Sequence, residues 1–299
     1  MSGVLAGISV TCFAASYAVA WALEISRLFF QSGVRGAVMI GFAAAGLLAH
    51  TLYLAYRGFS ASASPLSSSF DWYLLAAWLL IVVYLHLAFY QPRRAIGLFV
   101  LPIALVLVLL AATFASREPI APEPASRWWG TIHGLFLLLG TVTVILGFVV
   151  GLMYLLQANR LKHKRLPPAG MRLPSLEWLE RVDLRLLFGS TLLVAIGFVA
   201  GLVLKGVRSE PILRWADPVE IALAGMLAWL VAATSFVAIY RPARHGRKVA
   251  YLSLTSFVLL AVVLAVLLFV SSGHGGAHSL SDRSARLGSG ASAAPGSAP

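Results

Sequence analysis

The stretch Arg127–Lys162, RWWGTIHGLFLLLGTVTVILGFVVGLMYLLQANRLK, decides the fold. It carries no Asp, Glu, Lys or Arg between Arg127 and Arg160, and its apolar run from about 130 to 156 exceeds the roughly 20 residues a helix needs to cross a bilayer. Working outward on the same template, further runs fall at about 3–23, 35–56, 71–90, 95–115, 184–204, 219–240 and 249–271. The composition agrees: 60% of residues are hydrophobic and 11% charged, with a mean hydropathy of +0.87. An ordinary soluble domain carries about 25% charged residues. The expected fold is an all-α integral membrane protein, a bundle of eight transmembrane helices.

The formal net charge of +12 does not indicate a nucleic-acid partner, because the cations occupy short segments between apolar runs. Arg27 and Arg35, then Arg93 and Arg94, then Arg160, Lys162, Lys164, Arg165 and Arg172, then Arg241, Arg244, Arg247 and Lys248 mark the first, third, fifth and seventh loops. The positive-inside rule makes these loops cytoplasmic and puts both termini outside, in a multi-pass protein of the inner (cytoplasmic) membrane. MSGVLAGISV has no basic n-region, so the first run reads as a retained span. Cys12, the single cysteine, lies in that run; one thiol forms no internal disulfide, and a buried core position is expected. Residues 1–279 read as one membrane domain. Residues 280–299, rich in Ser, Gly, Ala and Pro, read as a disordered tail.

The longest interval between runs, 157–183, is too short for an independent core. Within it Ser175, followed by Glu177 and Glu180, signals a helix start, with Trp178 at the interface. This segment also suits docking of a cytosolic partner. No phosphate-cradling glycine loop, His-Glu-x-x-His or Gly-x-Ser-x-Gly occurs.

Seven histidines are present, and intramembrane ionisable groups are functional candidates. His163 and His245 fall in basic loops. With the orientation applied, His50, His133, His274 and His278 lie towards the outer side, and His86 belongs to the cytoplasmic half. Two neutral imidazoles from opposite sides can ligate a haem iron, and Trp128, Trp129 and Trp215 supply aromatic surface for the macrocycle. Two alternatives stay open: a zinc site, for which cysteine and carboxylate ligands at regular spacing are lacking, and structural histidines at helix ends beside interfacial tryptophans.

Residues 127–162, then LPSLEWLERVDLRLLFGSTLLVAIGFVAGLVLKG, RWADPVE at 214–220, AIYRPARHGRKVAY and GAHS follow an order that resembles the cytochrome c assembly (CcsA-type) family of haem-handling membrane proteins. RGFSASASPLSSSFDWYLLAAW resembles the family's segment entering its third span, and the likeness covers about residues 45–280. The resemblance implies eight spans with outward-facing termini and a tryptophan-rich loop that holds haem at the outer face between two histidines. RWADPVE is then that loop in shortened form, with Trp215 against the porphyrin and Asp217 with Pro218 shaping the turn. His133 is the histidine before the loop and either His274 or His278 the one after it; span length favours His274 and the local GAHS match favours His278. The loop has a single tryptophan, and AIYRPAR has no histidine to partner His86, which implies a reduced, accessory relative. The implied function is to hold or present haem in cytochrome c maturation, with apocytochrome c and a membrane partner, as part of an attachment complex and not as an enzyme alone. The alternative is a regulator or scaffold of haem biosynthesis that docks a cytosolic enzyme through residues 160–183.

Overall fold

The computed structural model describes residues 10–27, 29, 33–60, 68–90, 95–117, 127–164, 173–208, 217–240 and 247–290, with the side chains of 60, 127 and 269–290 outside that description. The described residues form α1 Val10–Ser26, α2 Gly33–Ser60, α3 Ser69–Tyr90, α4 Gly97–Phe114, α5 Arg127–Lys162, α6 Leu176–Val207, α7 Pro218–Ile239 and α8 Arg247–Gly290. The described residues of each apolar run lie essentially on one helix. Seven of them, α2 to α8, are long and apolar enough to cross a membrane. The 17-residue α1 is apolar but shorter, and the beginning of the expected first run lies outside the described residues. The chain is a helical membrane protein. The expected tail begins inside α8 at 280, and residues 291–299 lie outside the described residues.

Several helices are longer than their apolar runs, α5 and α6 among them. α5 has 36 residues and α6 has 32, about 54 and 48 Å of helix against a hydrocarbon core of about 30 Å. The extra length of α6 comes from its start. Ser175 is its N-cap, with the side-chain oxygen accepting from the Trp178 amide at 3.4 Å, so the amphipathic turn expected before the sixth span is the first turn of the spanning helix itself.

The helices pack as two neighbouring groups. α1 packs on α2 and α4, and α3 packs on α2 and α4; α5 packs on α6 and α8, and α7 packs on the same two. α3 and α4 meet α5 between the groups, and the Tyr73 hydroxyl of α3 donates to the Leu264 carbonyl of α8 at 3.1 Å. Burying apolar surface against another helix gains little over burying it in lipid, so close backbone approach through small residues has to hold such a bundle. The most extensive contact, between α5 and α6, shows this. A Cβ on Gly140 would come 2.7 Å from Val194 Cγ2, and one on Gly197 would come 2.7 Å from Leu137 Cδ2. Outward-facing Leu192, Val199, Val258 and Val262 are left exposed to meet acyl chains.

Two buried carboxylates of the bundle, Asp71 and Glu24, are held in ion pairs that offset their desolvation. Arg57 of α2 donates from Nε to Asp71 of α3 at 2.7 Å, and the Ser68 hydroxyl donates to the other oxygen of that carboxylate at 2.7 Å. At the opposite end of α1, Arg27 pairs with the buried Glu24 at 3.0 Å. Cys12 is exposed on α1 and not in the core: the helix turns Phe13, Tyr17 and Ala20 inward, which puts residue 12 on the other face.

Candidate functional site

His133 sits in the second turn of α5, where α6 presents Gly197 and Gly201 one helical turn apart. A Cβ on Gly201 would lie 2.7 Å from His133 Nδ1 and 2.8 Å from Cε1, so the imidazole occupies space that only a glycine leaves. His133 Nδ1 lies 2.7 Å from the Gly197 carbonyl oxygen. A carbonyl can only accept, hence Nδ1 carries the hydrogen and donates it. In the neutral ring Nε2 then holds a free lone pair. A backbone carbonyl that fixes the tautomer and ring plane while the other nitrogen stays basic is the usual setting of a metal-ligating histidine.

Aromatic groups gather at the same point. Trp129 is one turn before His133 on the same face of α5 and is 38% exposed. Trp128, beside it, is 78% exposed. Trp72 of α3 covers Gly134: a Cβ there would come 2.7 Å from the indole ring.

The described part of RWADPVE, Asp217 to Glu220, lies at this end of the bundle. Asp217 is the N-cap of α7, its Oδ1 accepting from the Val219 amide at 2.9 Å, and Pro218 fills the first helical position, where no amide hydrogen is needed. Glu220 pairs with Lys205, one turn beyond Gly201 on α6. The two carboxylates therefore cap α7 and tie its start to the end of α6, next to the helix segment that holds His133. Trp215 lies outside the described residues. His274 and His278 lie on the helical backbone of α8, with side chains outside the description.

The remaining described histidines do not join this site. His50 is fully buried between α1 and α2, stacked on Phe13 at 4.1 Å, with its Nδ1 3.2 Å from the Tyr17 hydroxyl. His86 is exposed, with Tyr90 4.7 Å away ring to ring, and His163 is exposed after α5. His245 lies outside the described residues. Among the described residues no three His, Cys, Asp or Glu side chains gather as a metal cluster, so nothing there favours the zinc alternative.

The sequence reading named His133, Trp129 and Asp217, which lie towards the same end of the bundle, and did not name Gly197, Gly201, Trp72 or the Lys205–Glu220 pair. Gly197 and Gly201 carry a legible signal, glycines four apart in an apolar helix, which marks a close helix crossing. For Trp72 the signal was its place in FDWYLLAAW, already singled out by resemblance.

A cytochrome c biogenesis protein CcsA of Guillardia theta is 24% identical over 243 residues, 75% of this chain and 79% of that protein. The CcsA protein of Trieres chinensis is 24% identical over 242 residues, covering 70% and 76%. The chain is a distant relative of the CcsA-type proteins. Similarity to CcsA proteins of this extent spans up to 75% of the chain and is not confined to one local motif. An uncharacterized 28.8 kDa protein of Azospirillum brasilense is also similar, 27% identical over 175 residues, 57% of this chain and 64% of that protein. No protein-family model and no solved structure matches the chain.

Proposed function

We propose that this CcsA relative acts in cytochrome c biogenesis as a haem-handling membrane protein, with haem as its cargo. The observation that carries the reading is the bond from His133 Nδ1 to the Gly197 carbonyl, which leaves Nε2 as a basic ligand atom, on a helix segment that also carries Trp129 and, at Gly134, is covered by Trp72. His133 and either His274 or His278 would hold the haem iron, Trp129 and Trp215 would supply aromatic surface to the macrocycle, and Asp217 caps the start of α7 next to Trp215 in sequence. When bound, haem supplies the vinyl groups that are joined to apocytochrome c. This chain's own residues hold and orient it and exclude water from its faces. Cys12 lies on α1, so the thiols of that linkage belong to apocytochrome c, and the chain works within an attachment complex that includes a membrane partner.

The expected topology is eight spans in the cytoplasmic membrane with both termini outside, which puts the His133 end of the bundle at the outer face. Similarity to CcsA proteins supports the setting, and the charge distribution supports the orientation.

One observation favours a second reading, a scaffold of haem biosynthesis. The lengths of α5 and α6 exceed what the bilayer needs, so the end of α5 and the first turns of α6, with the exposed pair Arg181–Glu177 at 3.3 Å, are available to a cytosolic partner. Deletion of the chain in its own host separates the two. The haem-handling reading expects covalently bound haem in c-type cytochromes to fall several-fold while total cellular haem is unchanged, and His133→Ala to fail in restoring it. A fall in total haem that restoration by His133→Ala reverses would support the scaffold instead. Unchanged c-type cytochromes would overturn the first reading.

A further inference from the structure

Haem is an amphipathic cargo, an apolar macrocycle with two propionate carboxylates on one edge. In a membrane protein those carboxylates need a cation, because an uncompensated charge is costly away from water. His133, Trp129 and Trp72 offer none, but the helix that seats His133 does. Gly197, Gly201 and Lys205 follow one another at intervals of four residues on α6, so they share a side of that helix, and Gly201 is the point at which an added Cβ would touch the imidazole. Lys205 lies one turn further, about 6 Å along the axis, towards the end of α6 at Val207. The cation is thus nearer the end of the bundle than the imidazole is. A ligand with its apolar body inside and its carboxylates at the surface asks for its partners in that order.

Lys205 is not a solvated surface lysine. Its side chain is 19% exposed, as is that of Glu220 in the first turn of α7, and the two form an ion pair. Asp217, the other carboxylate of that turn, accepts from the Val219 amide at 2.9 Å and is occupied as the cap of α7. A partly buried pair of this kind balances the charge of an empty site. An ammonium can take one carboxylate in place of another with its charge still matched, and three donors on a flexible four-carbon stem let it follow the exchange.

We propose that Lys205 is the carboxylate-binding group of the His133 site, holding a haem propionate in exchange for Glu220, which keeps the cation only while the site is empty. This role rests on the haem-handling reading and adds to it the group that recognises the acidic edge of the cargo.

A simple tie between α6 and α7 would look the same in the empty protein, and binding measurements separate the two. Purified full-length wild type, Glu220→Gln, Lys205→Met and the double variant are each titrated in detergent with haem and with haem dimethyl ester, which has the same iron and macrocycle but no free carboxylate. The ratio of the two affinities is read, and partition into detergent, common to all four proteins, cancels. The preference for haem should be about tenfold greater in wild type than in Lys205→Met, the scale of one charge-assisted hydrogen bond. Glu220→Gln removes the competing carboxylate and should raise the ratio several-fold further, through tighter binding of haem and not of the ester. The double variant should match Lys205→Met, because the gain acts through the ammonium. Should Lys205→Met fail to fold, the ratio in Glu220→Gln decides alone. A tie predicts that either single variant weakens both ligands alike. An equal ratio in wild type and Lys205→Met, an unchanged ratio in Glu220→Gln, or a gain retained in the double variant overturns the role of Lys205 and leaves the His133 site standing. A wild type that binds neither form overturns both.

Discussion

His133→Ala is expected to abolish the low-spin haem spectrum of the purified, haem-supplied protein while the amount of folded protein stays close to wild type. The substitution removes Nε2, the proposed iron ligand, and the hydrogen bond from Nδ1 to the Gly197 carbonyl. A hydrogen bond of this kind contributes about 1 kcal/mol net, a small fraction of what the α5–α6 packing supplies, so folding should survive. The carbonyl left behind is not orphaned, because it belongs to the helical ladder of α6. His163→Ala serves as the control, since His163 is exposed beyond the end of α5 and touches none of these groups. Spectra are read together with protein level on the same preparations. Identical spectra from wild type and His133→Ala would remove the residue from the site.

A methyl group placed at Gly201 should act almost as strongly without touching the ligand itself. Its carbon would lie 2.7 Å from His133 Nδ1, closer than such contacts occur, and the backbone of α6 leaves the imidazole as the group that must move. Swinging the ring away breaks the bond to Gly197 and frees the tautomer, so Nε2 no longer holds its lone pair in a fixed direction. Loss of an orienting partner of this kind typically costs 10- to 100-fold in metal affinity, and the same loss of haem affinity is expected for Gly201→Ala, with a shifted spectrum at saturation. Alanine is the better helix former by about 1 kcal/mol, so general destabilisation does not account for the effect. Gly206→Ala, one turn and a half further along α6 with no atom within 4 Å of the added carbon, should leave haem binding unchanged. Equal haem affinity in Gly201→Ala and wild type would show that the Gly197 contact does not orient the ligand.

The apolar runs located every described helix because a membrane demands an apolar exterior at every depth, and that requirement is written residue by residue. It does not mark helix ends. α5 continues to Lys162 and α6 begins at Leu176, past the limits of lipid burial, because hydrogen bonding and the Ser175 cap set those ends. Cys12 shows the converse weakness: in a run apolar on all sides, composition does not tell which face turns inward, and only packing against α2 and α4 does. At the site, His133, Trp129 and Asp217 were legible because imidazole, indole and a capping carboxylate are chemically distinctive. Gly197 and Gly201 act by what they lack, and their role emerges only when α5 is laid across α6. Trp72 is sixty-two residues before Gly134 in the chain, a distance that no local pattern bridges.

The most direct measurement is the haem content and ligation of the purified wild-type chain, supplied with haem during expression and read by visible absorption and electron paramagnetic resonance. The account predicts one haem per chain with a low-spin signature of two nitrogen axial ligands. A wild-type chain that folds and retains no haem, or retains it without histidine ligation, would contradict it.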